Sequence, residues 1–117
     1  MLSGLLSKLT GSASVPAIEH DELVRAHQER SCVIVDVREP HEFKSGHIPG
    51  AVNHPLSQFD PASLAKDLAE DKPVVLICQA GGRSATALRR ALAAGVEGVR
   101  HYAGGMSGWR ARGGPVA

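Results

Sequence analysis

The chain has 117 residues, of which 43% are hydrophobic and 3% aromatic, and its formal net charge is +1. This length is enough for one domain with its own hydrophobic core. The near-neutral charge and the shortage of aromatic residues argue against a nucleic-acid binder, which needs a basic stripe or stacking surfaces. No apolar run approaches the ~20 residues of a membrane-spanning helix, so we expect no membrane span.

The N-terminal segment, residues 1–15, carries leucines at helical spacing. We predict a short helix or arm here, followed by a single domain over residues 16–117. A helix on a membrane surface would carry a basic face, whereas this segment has one lysine. Lys8 and Gly4 interrupt the apolar centre that a secretory signal needs.

Short apolar segments alternate with helical patterns through the rest of the chain. The predicted strands cover residues 16–18, 32–37, 51–54, 74–77 and 99–102. The predicted helices cover residues 20–30, 40–43, 61–68 (with Asp60 as N-cap) and 84–95, and a last short helix ends at residue 110. This alternation predicts an α/β fold with a doubly wound parallel sheet and right-handed crossovers. Ligands of such sheets lie at the carboxyl ends of the strands.

The stretch 74–84 joins a buried strand to a helix through a loop that begins with a cysteine. Four apolar residues, three of them β-branched, precede Cys78. Glycine permits positive φ angles, so the loop can point its N–H groups inward as an anion-binding nest; its members are Gln79, Ala80, Gly81 and Gly82. The helix N-terminus and the charge of Arg83 would lower the pKa of the thiol. We predict a reactive, partly ionised Cys78; the alternative is an inert thiol in an ordinary strand-to-helix turn.

The second cysteine, Cys32, precedes a predicted strand, whereas Cys78 follows one. If the two strands are parallel, the thiols lie roughly 15–20 Å apart along them, too far for a disulfide. Cys32 is predicted to be packed and unreactive. Two unpaired thiols favour a reducing compartment, and we predict a cytoplasmic protein.

The histidines show no metal-binding pattern. The six are scattered, and the cysteines are far apart, so we predict no metal site. His47 is the histidine of most interest, because it lies in a loop between two strand ends.

Four motifs in order make the chain resemble a single-domain rhodanese, a sulfurtransferase of the thiosulfate:cyanide type. They are residues 35–39 (VDVRE) with Glu42 and Phe43, residues 46–53 (GHIPGAVN), residues 78–84 (CQAGGRS), and residues 104–106 (GGM) with Trp109. The match covers residues 18–116.

The resemblance implies a five-stranded parallel sheet with helices on both faces, and it implies that Cys78 is the catalytic residue. In the family the thiolate takes the outer sulfur of a small anionic donor such as thiosulfate. The resulting persulfide passes that sulfur to cyanide, a thiol or a protein acceptor, without a cofactor. The binding loop would be residues 79–84, that is Gln79, Ala80, Gly81, Gly82, Arg83 and Ser84. Asp36 and Arg38 match positions near the loop, and we interpret them as structural support.

Two alternatives remain. Phosphatases and arsenate reductases of the dual-specificity cell-cycle type share the fold, but they place five residues between cysteine and arginine. Here four residues separate Cys78 from Arg83, and no acidic residue is nearby to protonate a leaving group. The other alternative is a sulfur carrier or regulatory interaction module, which is compatible with a reactive Cys78.

Overall fold

The computed structural model describes residues 15–68 and 71–117 of the chain. The predicted arm or helix at residues 1–15 lies outside the described residues, apart from Val15. The elements in chain order are α1 (His20–Glu29), β1 (Val33–Asp36), α2 (Pro40–Lys44), β2 (Val52–Asn53), a 3-10 turn (Leu56–Gln58), α3 (Pro61–Leu68), β3 (Val74–Ile77), α4 (Gly82–Ala93), β4 (Val99–His101) and α5 (Gly105–Ala111).

The four strands form a parallel sheet in the order β2-β1-β3-β4. The predicted first strand, residues 16–18, is reduced to a single parallel bridge between Ala17 and His101 at the β4 edge. The N–H of Ile18 donates to the His101 carbonyl at 3.0 Å, and the N–H of His101 donates to the Pro16 carbonyl at 3.0 Å. A longer ladder does not form because Pro16 has no N–H and α1 begins at His20. In the part of the chain that the structure describes, four strands and one bridge thus stand in the place of the five predicted strands.

Helices cover both faces of the sheet, as predicted. Because successive strand residues point to opposite faces, Val35 and Leu76 pack in one buried cluster with Leu64 of α3 and Leu88 of α4. Neighbouring strand residues point the other way and form a second cluster with α1 and α5; its members are Ile18, Leu23, Ile34, Ile48, Val75, Ile77, Tyr102, Met106 and Trp109. The full burial of β3 explains its uninterrupted apolar sequence.

The parallel register separates the two cysteines. Val33 pairs with Val74 and Asp36 with Ile77, so Cys32 lies before the paired segment and Cys78 after it. Both thiols are free, as predicted. Within residues 15–68 and 71–117, no helix is both long and apolar enough to cross a membrane.

Candidate active site

The loop between β3 and α4 encloses the sulfur of Cys78. The side chain is buried, and its Sγ accepts a hydrogen bond from the Gly81 N–H at 3.1 Å. The hydroxyl of Ser84, in the first turn of α4, lies 3.5 Å from the same sulfur. Gly81 can aim its N–H inward because its φ is +100°, a left-handed conformation that glycine adopts without strain. The sulfur therefore lies among donors, as an anion requires.

These donors lower the pKa of the Cys78 thiol. Burial by itself would raise that pKa, but the Ser84 hydroxyl and the backbone N–H groups of Ser84, Gly81 and Ala80 together outweigh it. Hydrogen bonds to the charged form favour ionisation, which is how the loop opposes desolvation. The sulfur is thus biased towards thiolate, the nucleophilic form.

The turn into α5 holds the outer side of the loop. The N–H groups of Met106 and Ser107 donate to the carbonyls of Cys78 and Gln79 at 2.9 and 3.1 Å. Gly105 lies so close that a Cβ on it would overlap the Gln79 carbonyl. With its carbonyls tied to α5, the loop presents its N–H groups to the sulfur. This contact also explains the position of the Gly104-Gly105-Met106 motif.

Asp36 and Arg38 form a buried ion pair at the end of β1, beside the strand that carries Cys78. The Nη2 of Arg38 donates to Asp36 Oδ2 at 2.6 Å and to the Gly46 carbonyl at 2.8 Å. The pair is nearly inaccessible to solvent. Each charge therefore has the partner that burial requires, and the pair ties the loop around Gly46 to the strand end.

Arg83 lies at the rim of the loop, but it is not an unpaired cation. Its two Nη atoms donate to the two carboxylate oxygens of Glu42 at 2.7 and 2.9 Å. This bidentate pairing lowers the pKa of Glu42 to about 2 and raises the pKa of Arg83. The α2 capping box holds Glu42 in place, because its carboxylate also accepts the Glu39 N–H at 3.0 Å. Sequence reasoning placed Glu42 in a motif but gave it no role towards Arg83.

His101, at the carboxyl end of β4, is a site residue that sequence reasoning missed. Its Nδ1 lies 2.9 Å from the Ser84 Oγ, and the residue is 5% exposed. Burial and the nearby charge of Arg89 lower the pKa of its imidazole. The available signal was topological: β4 neighbours β3, so their carboxyl ends meet at the loop.

His47 lies outside this cluster. Its Nδ1 is 2.8 Å from the Phe43 carbonyl, and its ring stacks on the Phe43 ring at a centroid distance of 3.8 Å. It therefore stabilises the end of α2. Within the described residues, no group of three or more His, Cys, Asp or Glu side chains could hold a metal ion.

Cys32 lines a cavity of about 870 Å³ at the other end of the sheet, together with His27, Arg30 and Lys72. Burial raises the pKa of its thiol, although Arg100 and Lys72 oppose the effect. The pKa of the Cys32 thiol is thus raised, whereas that of Cys78 is lowered, so Cys32 is the less nucleophilic of the two. The comparison of the two thiols therefore favours the loop around Cys78 as the candidate active site.

Comparison with known sequences places the chain in a family. A family model described as a rhodanese-like domain matches residues 19–112. The uncharacterized protein slr1261 of Synechocystis is 43% identical over 94 residues, covering 80% of this chain and 51% of that protein, so this chain spans about half of that relative. Thiosulfate sulfurtransferase 16, chloroplastic, of Arabidopsis thaliana is 33% identical over 120 residues, covering 94% and 95%. The human thiosulfate:glutathione sulfurtransferase is 34% identical over 109 residues, covering 83% and 95%.

Solved structures show the same fold. A Rhodopseudomonas palustris protein of unknown function, described as a possible tyrosine phosphatase, matches with a TM-score of 0.78 at 30% identity, covering 100% of this chain and 94% of that one. A rhodanese-related protein of Thermoplasma volcanium matches with a TM-score of 0.74 at 30% identity, covering 87% and 97%. With the cysteine loop, the parallel sheet and the family match in agreement, the chain belongs to the rhodanese-like domain family.

Proposed function

We propose that the protein is a sulfurtransferase that carries sulfur as a persulfide on Cys78. The observation that carries this proposal is the buried sulfur, which accepts the Gly81 N–H at 3.1 Å and lies 3.5 Å from the Ser84 hydroxyl. These donors stabilise a sulfur anion and leave no need for a separate base. Relatives named thiosulfate sulfurtransferase and thiosulfate:glutathione sulfurtransferase support the same class of reaction.

In the first half-reaction, the Cys78 thiolate attacks the outer sulfur of the donor. The new bond joins the two sulfur atoms, and the sulfur–sulfur bond of thiosulfate breaks, so that sulfite leaves with the electron pair. The product is a Cys78 persulfide anion, which the inward N–H groups of the loop stabilise. This is nucleophilic catalysis in which the enzyme is covalently modified.

In the second half-reaction, cyanide or a thiolate attacks the outer sulfur of the persulfide. The bond to Cys78 breaks, and its electrons return to the Cys78 sulfur as thiolate. The acceptor leaves as thiocyanate or as a persulfide of its own. A small thiol or a protein acceptor would follow the same route, and the two free thiols of the chain suit a reducing location such as the cytoplasm.

The test is to treat the protein with thiosulfate, measure its intact mass, and then measure thiocyanate release on adding cyanide. We expect a species one sulfur atom heavier that cyanide returns to the original mass. Cys78→Ala should abolish both signals, because the attacking sulfur is gone.

Cys32→Ala is the matched control, since it removes the other thiol at the far end of the sheet. It should keep both signals. Sulfur loading or cyanide turnover that persists in Cys78→Ala would refute the mechanism.

A phosphatase activity is the second candidate, because one solved structure of this fold is described as a possible tyrosine phosphatase. The loop around Cys78 fits a phosphatase less well than a sulfurtransferase. Four residues between Cys78 and Arg83 enclose a smaller space than the five of the phosphatase loop, and Arg83 is already paired with Glu42. Cys78-dependent hydrolysis of an aryl phosphate, faster than sulfur transfer, would favour the phosphatase.

A further inference from the structure

Three buried side chains form a continuous hydrogen-bonded line behind the loop. Ser84 Oγ lies 3.5 Å from the Cys78 sulfur on one side and 2.9 Å from His101 Nδ1 on the other. Ser84 is fully buried and His101 is 5% exposed. The line joins the end of β3, the first turn of α4 and the end of β4, so three elements fix its geometry.

The Ser84 hydroxyl has one hydrogen and three neighbours that could accept it. These are the Cys78 sulfur, His101 Nδ1 and the Gly81 carbonyl at 3.2 Å. If His101 Nδ1 carries no hydrogen, it accepts the hydroxyl hydrogen and the thiolate loses a donor. If Nδ1 carries the ring hydrogen, it donates to Ser84 Oγ, and the hydroxyl hydrogen is left for the sulfur or the carbonyl.

We propose that His101 is a positioning residue, which donates from Nδ1 to the Ser84 hydroxyl and thereby directs the hydroxyl hydrogen to the Cys78 sulfur. In this arrangement every hydrogen in the line points towards the negative charge. The proposal deepens the sulfurtransferase function proposed above and rests on Cys78 being its nucleophile. It gives a role to a buried histidine that otherwise has none in the reaction.

The effect applies to both half-reactions. The hydrogen bond from the Ser84 hydroxyl raises the fraction of Cys78 that is thiolate before this residue attacks thiosulfate. When an acceptor attacks the outer sulfur of the persulfide, the bond to Cys78 breaks and its electron pair goes to the Cys78 sulfur. A thiolate of lower pKa is the better leaving group, so the same hydrogen bond speeds release.

His101 acts as a neutral imidazole. Arg89 lies near His101, and both its charge and burial oppose protonation of the ring. The charge of the Cys78 thiolate also helps to raise the pKa of Arg83, although Glu42 is the main cause. The proposal requires only that the single hydrogen of the neutral His101 ring is on Nδ1. His101 therefore does not need to accept a proton during the reaction.

The experiment measures the rate of Cys78 alkylation by iodoacetamide against pH, with Cys78 followed by peptide mass spectrometry. His101→Val places a β-branched residue, which strands favour, in β4 and removes the ring. We expect it to raise the Cys78 pKa by about half to one unit, because one hydrogen bond is lost. Below the pKa, alkylation should slow about threefold to tenfold.

His101→Asn is the rescue variant. Its amide nitrogen can take the place of Nδ1 as a donor to Ser84, so the Cys78 pKa should stay near that of the wild type. His27→Val is the structural control, since the His27 ring bonds the Pro49 carbonyl at 2.9 Å and meets the Trp109 ring edge-on. It removes a comparable histidine beside Cys32 and should leave the Cys78 pKa unchanged.

A double-mutant cycle tests whether His101 acts through Ser84. Ser84→Ala should raise the Cys78 pKa by about one to two units, as expected for a hydrogen bond to a charged group. Adding His101→Val to it should then change nothing further. An additive shift in the double variant, or an unchanged pKa in folded His101→Val, would overturn the proposal.

The wild-type protein offers a second measurement, which decides the question even if His101→Val does not fold. Imidazole ¹⁵N chemical shifts recorded above the Cys78 pKa should show the ring hydrogen on Nδ1. A hydrogen on Nε2 at that pH would overturn the proposal. None of these measurements requires sulfur transfer, so failure of thiosulfate to load Cys78 would refute the proposed function and leave the role of His101 standing.

Discussion

At Cys78 two opposing effects act on one sulfur atom. Burial disfavours the thiolate, and the hydrogen bonds from Ser84, Gly81 and Ala80 favour it. The hydrogen bonds prevail because the loop backbone is already oriented towards the sulfur, and no reorganisation is needed when the charge forms. The geometry of the loop thus lowers the pKa of a strand-end cysteine, which supports our proposal that Cys78 is the nucleophile.

Arg83 is the residue whose predicted role the structure qualifies most. The resemblance places it in the binding loop for a small anionic sulfur donor, and its ion pair with Glu42 means that such a donor competes with a carboxylate. We predict that Arg83→Ala raises the KM for thiosulfate about threefold to tenfold, the range for loss of an ordinary hydrogen bond, because Glu42 already shares the guanidinium. The rate of Cys78 loading at saturating donor should change less. Steady-state kinetics over a range of thiosulfate concentrations measures both.

Glu42→Gln is the comparison variant. It removes the negative charge that pairs with Arg83 and keeps the size of the side chain. It should leave the KM for thiosulfate unchanged or lower it. If Arg83→Ala leaves the KM unchanged, Arg83 has no part in donor binding.

At the scale of elements, the turn into α5 and the loop after β3 depend on two glycines. A Cβ on Gly81 would overlap the Ala103 carbonyl, and one on Gly105 would overlap the Gln79 carbonyl. Both residues also have positive φ angles. The close approach of two backbones and the left-handed φ angles, rather than chain flexibility, therefore require glycine here.

We predict that Gly81→Ala lowers the free energy of unfolding by roughly 1–3 kcal/mol, the range for a strained left-handed residue. Gly82→Ala is the matched stability control, because it has open space at the Cβ position and lies in α4, where alanine is favoured. Urea unfolding of both variants measures the difference. Equal stability of Gly81→Ala and the wild type would contradict the steric argument.

At the scale of the whole molecule, the sheet separates two packed faces, and Trp109 anchors the one that contains α1 and α5. Its ring is 1% exposed, and its Nε1 donates to the Pro115 carbonyl at 2.8 Å. The contact fastens the C-terminal segment to the domain. The packing of this face, and with it the stability of the domain, therefore depends strongly on the Trp109 side chain.

Trp109→Ala should therefore lower the free energy of unfolding by about 3–5 kcal/mol, as for other buried aromatic truncations. Leu92→Ala is the control, because Leu92 is 41% exposed and surface changes usually stay within about 0.5 kcal/mol. Thermal or urea denaturation monitored by circular dichroism compares them. A loss below about 1 kcal/mol in Trp109→Ala would show that Trp109 does not anchor the core.

The sequence alone determined the local chemistry and the order of the elements. Apart from the predicted strand at residues 16–18, the strand and helix bounds in the described residues lie within about two positions of those predicted, because periodicity and turn residues are local signals. The loop from Cys78 to Ser84 was also evident, since strand, glycines and helix are contiguous in the chain. Its specific motifs allowed the family to be recognised.

Only the tertiary structure decided which distant residues meet that loop. His101 reaches Ser84 because β4 lies beside β3, and Glu42 reaches Arg83 across 41 positions of sequence. Whether residues 16–18 form a strand was likewise settled by pairing at the β4 edge. These contacts depend on strand order and on the packing of α2, which no local pattern encodes. Local residues thus supply the proposed nucleophile and its loop, and non-local packing adds the His101 contact to Ser84 and the ion pair of Arg83 with Glu42.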